Sequence, residues 1–175
     1  VGIRGRWGPE LGQSLKLEVG AHAPLLVSPV AMDVDPQGRI WLTEGIDYHQ
    51  RPRVSNGQSI IVVTDSDGDD KADKSHIFVS ERKDRHAPLG LAVFDNKIVL
   101  SATPNLIVYT DVDRNAKFDP KIDKREVLLT GFQKKGHDHT LHAVVGRPRG
   151  QWSFSFGNGA ADAETKEGRH CPGRC

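Results

Sequence analysis

Cysteine is nearly absent from these 175 residues, and its two copies, Cys171 and Cys175, stand together at the end. They cannot staple the body of the fold, and Cys-Pro-Gly-Arg-Cys is not the C-x-x-C-H of haem attachment. An incidental junction, a tail disulfide and a tail metal site stay open, so cysteine usage sets no compartment. No stretch approaches the roughly 18 consecutive apolar residues of a membrane span. No charged-then-apolar leader opens the chain, and Val1 in place of Met is expected of a processed or truncated chain. An excess of either charge is also missing. Lys and Arg number 24 against 23 Asp and Glu, a net charge of +1, so bulk electrostatics favour no polyanion and no nucleic-acid partner is expected.

What the chain does have is repetition. Ile60-Ile-Val-Val-Thr-Asp-Ser-Asp-Gly-Asp-Asp-Lys-Ala-Asp-Lys74 returns, diluted, as Leu106-Ile-Val-Tyr-Thr-Asp-Val-Asp-Arg-Asn-Ala-Lys-Phe-Asp119. Asp65 and Asp111 are 111 − 65 = 46 residues apart. A second motif, an apolar strand, a turn and another strand, runs from Pro29 to Thr43, from Leu89 to Ser101 and from Leu141 to Ser155. This is the grammar of hairpins. Anchored on Ala31, Ala92 and Ala143, its copies lie 61 and 51 residues apart.

Repeats of about 40–50 residues built from short strands alone point to an all-β fold of the β-propeller type. Such a ring needs at least about four blades. The chain therefore reads as a partial propeller, about three blades of a ring of roughly six or seven. Residues 1–14 read as an irregular lead-in, 15–160 as the partial propeller, opening on a short strand at Leu15, and 161–175 as a disordered or non-homologous tail.

Two acidic loops carry the first candidate chemistry. Counting Asp65 as the first position, Asp65, Asp67, Asp69 and Asp73 fall at alternating places in a tight loop. Calcium takes six to eight oxygens, and carboxylates held this close need a counter-ion. The second loop offers Asp111, Asp113, Asn115 and Asp119, with Asp123 as a compensating carboxylate. The first loop is not an EF-hand, because Gly68 stands at position 4 instead of 6, His76 stands where the closing glutamate would be, and the flanks are strands. The alternative is a pair of solvated acidic turns.

The second candidate is His137-x-His139-x-x-His142, the densest histidine cluster in the chain. One such ring can act as a general base near neutral pH, two can share a transition metal, or all three can be structural.

Pro29 to Tyr48, the Thr64–Lys74 loop, Asn96 to Asn105, and His137 to His142 continuing through Phe156-Gly-Asn158 together resemble the membrane-bound dehydrogenase family of planctomycete-type bacteria. That family is similar to the soluble quinoprotein glucose and sorbosone dehydrogenases. The resemblance covers roughly residues 15 to 158. It implies a periplasmic or secreted protein, or a membrane-associated one, that oxidises a sugar or polyol at a pyrroloquinoline quinone. It also implies that a histidine takes the substrate hydroxyl proton, with His139 the best match and His142 the reserve. The quinone clamp is expected from later blades outside this chain, the remaining blades of the parent being its partners. Haem is not expected in this chain, and from Gly159 onward the resemblance stops. The competing expectation is a non-catalytic, calcium-stabilised propeller that binds carbohydrate or a protein.

Overall fold

The computed structural model describes residues 18–45, 58–81, 88–132, 141–147, 151–156, 161–165, 168 and 170–172. Among the described residues every regular element is a strand. The first sheet is an antiparallel meander of β1 (Pro29–Val34), β2 (Ile40–Glu44), β3 (Gln58–Thr64) and β4 (Lys74–Glu81). The second meander is β5 (Gly90–Phe94), β6 (Lys97–Ala102), β7 (Asn105–Thr110) and β8 (Lys124–Phe132). A third unit is the hairpin of β9 (Leu141–Gly146) and β10 (Trp152–Phe156). The three expected hairpins are therefore present, with Asp95 in a left-handed turn conformation between β5 and β6.

Packing follows the period of two along each strand. Leu91, Ile98, Leu100 and Tyr109 point one way from the second sheet and form a core with Trp41, Ile60 and Phe78 of the first. The alternate residues Ala92, Val99, Leu106 and Val108 point the other way, onto Leu141 and Val144 of β9. Strands β5 to β7 of the second sheet are thus buried on both faces, while β8 is largely exposed. The outer face of the first sheet, with Leu42, Ile61 and Val63, is partly covered by Leu25 and Leu26 from the segment before β1. The strand expected at Leu15 is described only from Glu18, where the chain is irregular.

One difference from the sequence reading lies in the tail. Residues 161–175, expected to be disordered or foreign, contain β11 (Ala161–Glu164) and β12 (His170–Pro172). β11 pairs with the free edge of β8, Glu164 opposite Thr130, and β12 pairs with β11. An edge strand presents unpaired N–H and C=O groups that invite another strand. The Ala-Asp-Ala-Glu alternation answers it with a small residue on the inner face, since Ala163 is buried in the second core. The residue sizes are too small to register as a hydrophobic strand. Cys171 stands in β12 opposite Ala163, and Cys175 lies outside the described residues.

The β1–β2 turn is locked by Asp35. Its buried carboxylate accepts hydrogen bonds from the amides of Gln37 (3.0 Å) and Arg39 (2.9 Å), from Arg39 Nε (2.5 Å) and from the Trp41 indole (2.8 Å). Gly38 takes the positive φ of 79° that closes the turn. Burial pushes the Asp35 carboxyl up, but the bonds from Trp41 and Arg39, with the Arg39 charge, hold it below the usual carboxylate value. A carboxylate depressed in the folded state stabilises fully above its unfolded pKa, about 3.9. That stabilisation is lost as pH falls through the lower folded value. Asp35→Asn is therefore expected to cost about 2 kcal/mol at neutral pH, the scale of hydrogen bonds to a charged group. It should also flatten the acid limb of stability below about pH 4, as read by urea unfolding over that range.

Candidate metal centre

Both acidic loops leave the end of a buried β-branched or aromatic strand, β3 ending at Thr64 and β7 at Thr110. Their backbones match. Gly68 and Arg114 have φ of 79° and 61°, and Asp70 and Ala116 have 66° and 58°, each pair 46 residues apart like Asp65 and Asp111. The amides of Asp70 and Ala116 donate to the same oxygen, Oδ2 of Asp65 and of Asp111, both at 2.9 Å. The sequence repeat is thus a repeat of conformation, kept in the second loop despite two side chains in the left-handed region, where strain of order 1 kcal/mol or more per residue is usual.

The carboxylates differ in what they are given. Asp65 is exposed, and its Oδ1 accepts from the amides of Gly68 (2.7 Å) and Asp67 (3.2 Å). These bonds, the Gly68 amide foremost, hold its pKa down. Asp111 is 3% exposed, and its Oδ1 is buried without a hydrogen-bond partner. Burial first, then the carboxylates of Asp113 and Asp123, push Asp111 above the usual value against the Ala116 amide.

The second loop is also longer. Its following strand begins at Lys124, 124 − 74 = 50 residues after Lys74, against the 46 of the repeat. The extra turn brings in Asp123. In the first loop Asp73 accepts from the amide (2.9 Å) and hydroxyl (2.5 Å) of Ser66. In the second, Asp123 takes that place, accepting from the amides of Val112 (2.8 Å) and Asp119 (2.7 Å).

Among the described residues, the structure brings together Asp65, Asp67 and Asp69 in one group and Asp111, Asp113 and Asp123 in another, with one ligand atom from each within 4.8 Å of the others. Asp73 is occupied by Ser66. Asn115 donates to Asp113 Oδ2 at 2.8 Å and accepts from the Lys117 amide, and Asp119 accepts from the Lys121 amide. The first group is fully exposed, and the second is buried at Asp111 and Asp123. Calcium has a fitting donor set in the second loop, where a buried carboxylate oxygen lacks a partner. The carboxylate that the repeat places at that position in the first loop is already satisfied by amides.

His142, the described member of the histidine cluster, belongs to the other end of the sheets. Thr43 Oγ1 accepts from the Ala31 amide (3.2 Å) and donates to the Pro88 carbonyl (3.3 Å), while the Val93 amide donates to Asp33 Oδ2 (2.7 Å). β1 and β5 therefore run side by side in the same direction. A Cβ on Gly90 would lie 2.3 Å from the His142 carbonyl oxygen, so β9 also begins at that end. Both acidic loops lie at the opposite end. His142 is half-buried at the start of β9, and His137 and His139 lie outside the described residues.

At that end the described buried polar groups are Thr43, Glu44, Ser59, Ser101 and Thr103. The described lysines and arginines fall in turns and strand ends at the acidic-loop end. Hydroxyls and one carboxylate do not fit the three carboxylates of pyrroloquinoline quinone, which call for cations. Thr43, which ties the first sheet to the start of β5, was not legible in the sequence, because its partner Pro88 is 45 positions away.

Gly90 gives this end its test. A methyl group there meets backbone at 2.3 Å and Ser101 Oγ at 2.7 Å. Gly90→Ala should cost about 1–3 kcal/mol, the range for forced overpacking, with faster amide exchange along β9. An unchanged unfolding midpoint would remove the close approach of β5 and β9.

The model of a family described as a domain of unknown function, DUF7133, matches residues 10–149. No curated protein matches the chain. A solved structure, an iodide structure of Trichoderma reesei Carbohydrate-Active Enzymes Family AA12, is similar at 17% identity and a TM-score of 0.48. The similarity covers 81% of this chain and 34% of that one.

Proposed function

This chain belongs to the DUF7133 family, and we propose that it supplies consecutive blades of a β-propeller whose working face is the end where β1, β5 and β9 begin. The reading continues to a substrate: a sugar or polyol, oxidised at that face in a periplasmic or secreted protein. The observation that carries it is the placement of the three first strands. They stand in chain order, β5 packed between β1 and β9, and they set out from one end. Meanders stacked in that way turn their connecting segments toward a common opening, which is how a propeller builds a site.

In this reading His139 accepts the proton of the substrate hydroxyl, a role suited to a neutral imidazole, and His142 stays at the packed start of β9. The quinone is implied by resemblance to the sugar dehydrogenases. Its clamp would have to come from later blades outside this chain. Calcium enters as a brace at the acidic-loop end, away from the working face. That separation also suits the other reading, a calcium-stabilised propeller that binds carbohydrate or a protein without chemistry.

Dye reduction by the full-length parent, loaded with pyrroloquinoline quinone and calcium and offered aldoses and polyols, decides between them. The expected result is turnover with at least one substrate and a loss of about 100-fold or more in His139→Ala, the scale of a general base. Silence across the panel, or His139→Ala at the wild-type rate, would remove the catalytic reading.

A further inference from the structure

The two acidic loops look like duplicates, and their unequal bonding makes them different devices. We infer that the second loop holds one divalent cation on Asp111, Asp113 and Asp123, that the first loop holds none, and that the bound cation fixes the second sheet against β4 of the first. The inference deepens the calcium part of the reading above. It requires nothing of the chemistry proposed at the other end.

The donor set is all oxygen, which selects a hard cation of the calcium type. Three carboxylate oxygens lie within 4.8 Å of one another, and Asp111 and Asp123 are 3% and 7% exposed. Like charges at that spacing in a buried place repel strongly unless a counter-charge joins them. Arg114 is engaged elsewhere, its guanidinium making a two-pronged pair with Asp95 at 2.6 and 2.8 Å, and only a weaker Coulombic attraction reaches Asp111. The partnerless Asp111 Oδ1 is the second, independent sign. In the first loop the same oxygen of Asp65 is saturated by two amides. A buried carboxylate oxygen without a donor carries the full desolvation cost, and a cation removes that cost.

The link to β4 runs through one residue. Ala116, fully buried, gives its amide to Asp111 Oδ2 (2.9 Å), and its carbonyl accepts from His76 Nε2 of β4 at 2.9 Å. Two residues on, the Phe118 amide donates to the Phe78 carbonyl (3.0 Å), and the Phe118 ring meets those of Phe78 and Tyr109 edge to face. Whatever orders Asp111 orders this seam. In the first loop the Ala72 amide bonds instead to the Gly20 carbonyl of the segment before β1.

The test is residue-resolved hydrogen exchange on the full-length protein, in chelator and then in excess calcium chloride, with calorimetry alongside. Calcium should slow exchange at least about tenfold at the amides of Val112, Ala116 and Phe118 and leave Gly68 and Asp70 unchanged, as for a ligand that binds only the closed state. Asp113→Asn changes an exposed side chain and so keeps the fold. It should bind calcium with one site fewer than wild type and lose the protection at Phe118. Asp111→Asn should give the same result where it folds, and Asp113→Asn decides where it does not. No calcium-dependent protection in residues 111–123, or equal protection in both loops, overturns the inference. Calcium protection at Phe118 in a protein that oxidises nothing would sink the catalytic reading and leave this one standing.

Discussion

A sheet that is apolar on both faces has no stable place at a surface, and the strands β5, β6 and β7 make such a sheet. Ile98 and Leu100 point one way, and Val99 the other. Burial is worth about 25 cal/mol per Å² of apolar area, so each face must find a neighbour. The first sheet takes one and the β9–β10 hairpin the other. The stack and the parallel course of β1 and β5 beside β9 follow from that requirement. Gly90 is where it is most strictly felt, because the backbones of β5 and β9 close to a distance that excludes even a methyl group.

At the other end polar groups govern. Asp35, Asp65 and Asp123 each gather backbone amides around a carboxylate, closing a turn by substituting a side chain for a missing strand partner. Asp111 departs from that pattern. It occupies the position of Asp65 in a loop of the same shape, yet it is buried and one of its oxygens is bare. Duplication copied the conformation, and the extra turn that delivers Asp123 changed the electrostatics. The same stretch of chain lies across β4, so the chemistry of the loop and the seating of two sheets meet at Ala116.

Local order was readable from the sequence because it is encoded locally. The alternation in Pro29–Val34, the Asp95-Asn96 turn and the 46-residue recurrence of Thr-Asp-x-Asp gave the hairpins and the loops. What escaped depends on distance along the chain. Spacing alone ranked Asp119 beside Asp113, whereas the turn after Asp119 carries Asp123 into the cluster. Thr43 reads as an ordinary strand residue until Pro88 arrives beside it. Asp35 was legible as a turn former, but its bond to the Trp41 indole was not. The tail misled by its size, since Ala161 and Ala163 are too small to announce a strand that is recruited by the edge of β8.

That recruitment has a consequence for how the molecule behaves in company. β8, nine residues long, would otherwise offer the longest row of unsatisfied main-chain groups in this fold, a template for any extended segment of a neighbouring molecule. With β11 laid along it and β12 outside, the sheet ends in a strand of three residues that includes a proline. Such a border is too short and too poor in donors to seed intermolecular ribbons. β11 and β12 thus act as a hem along this edge of the second sheet.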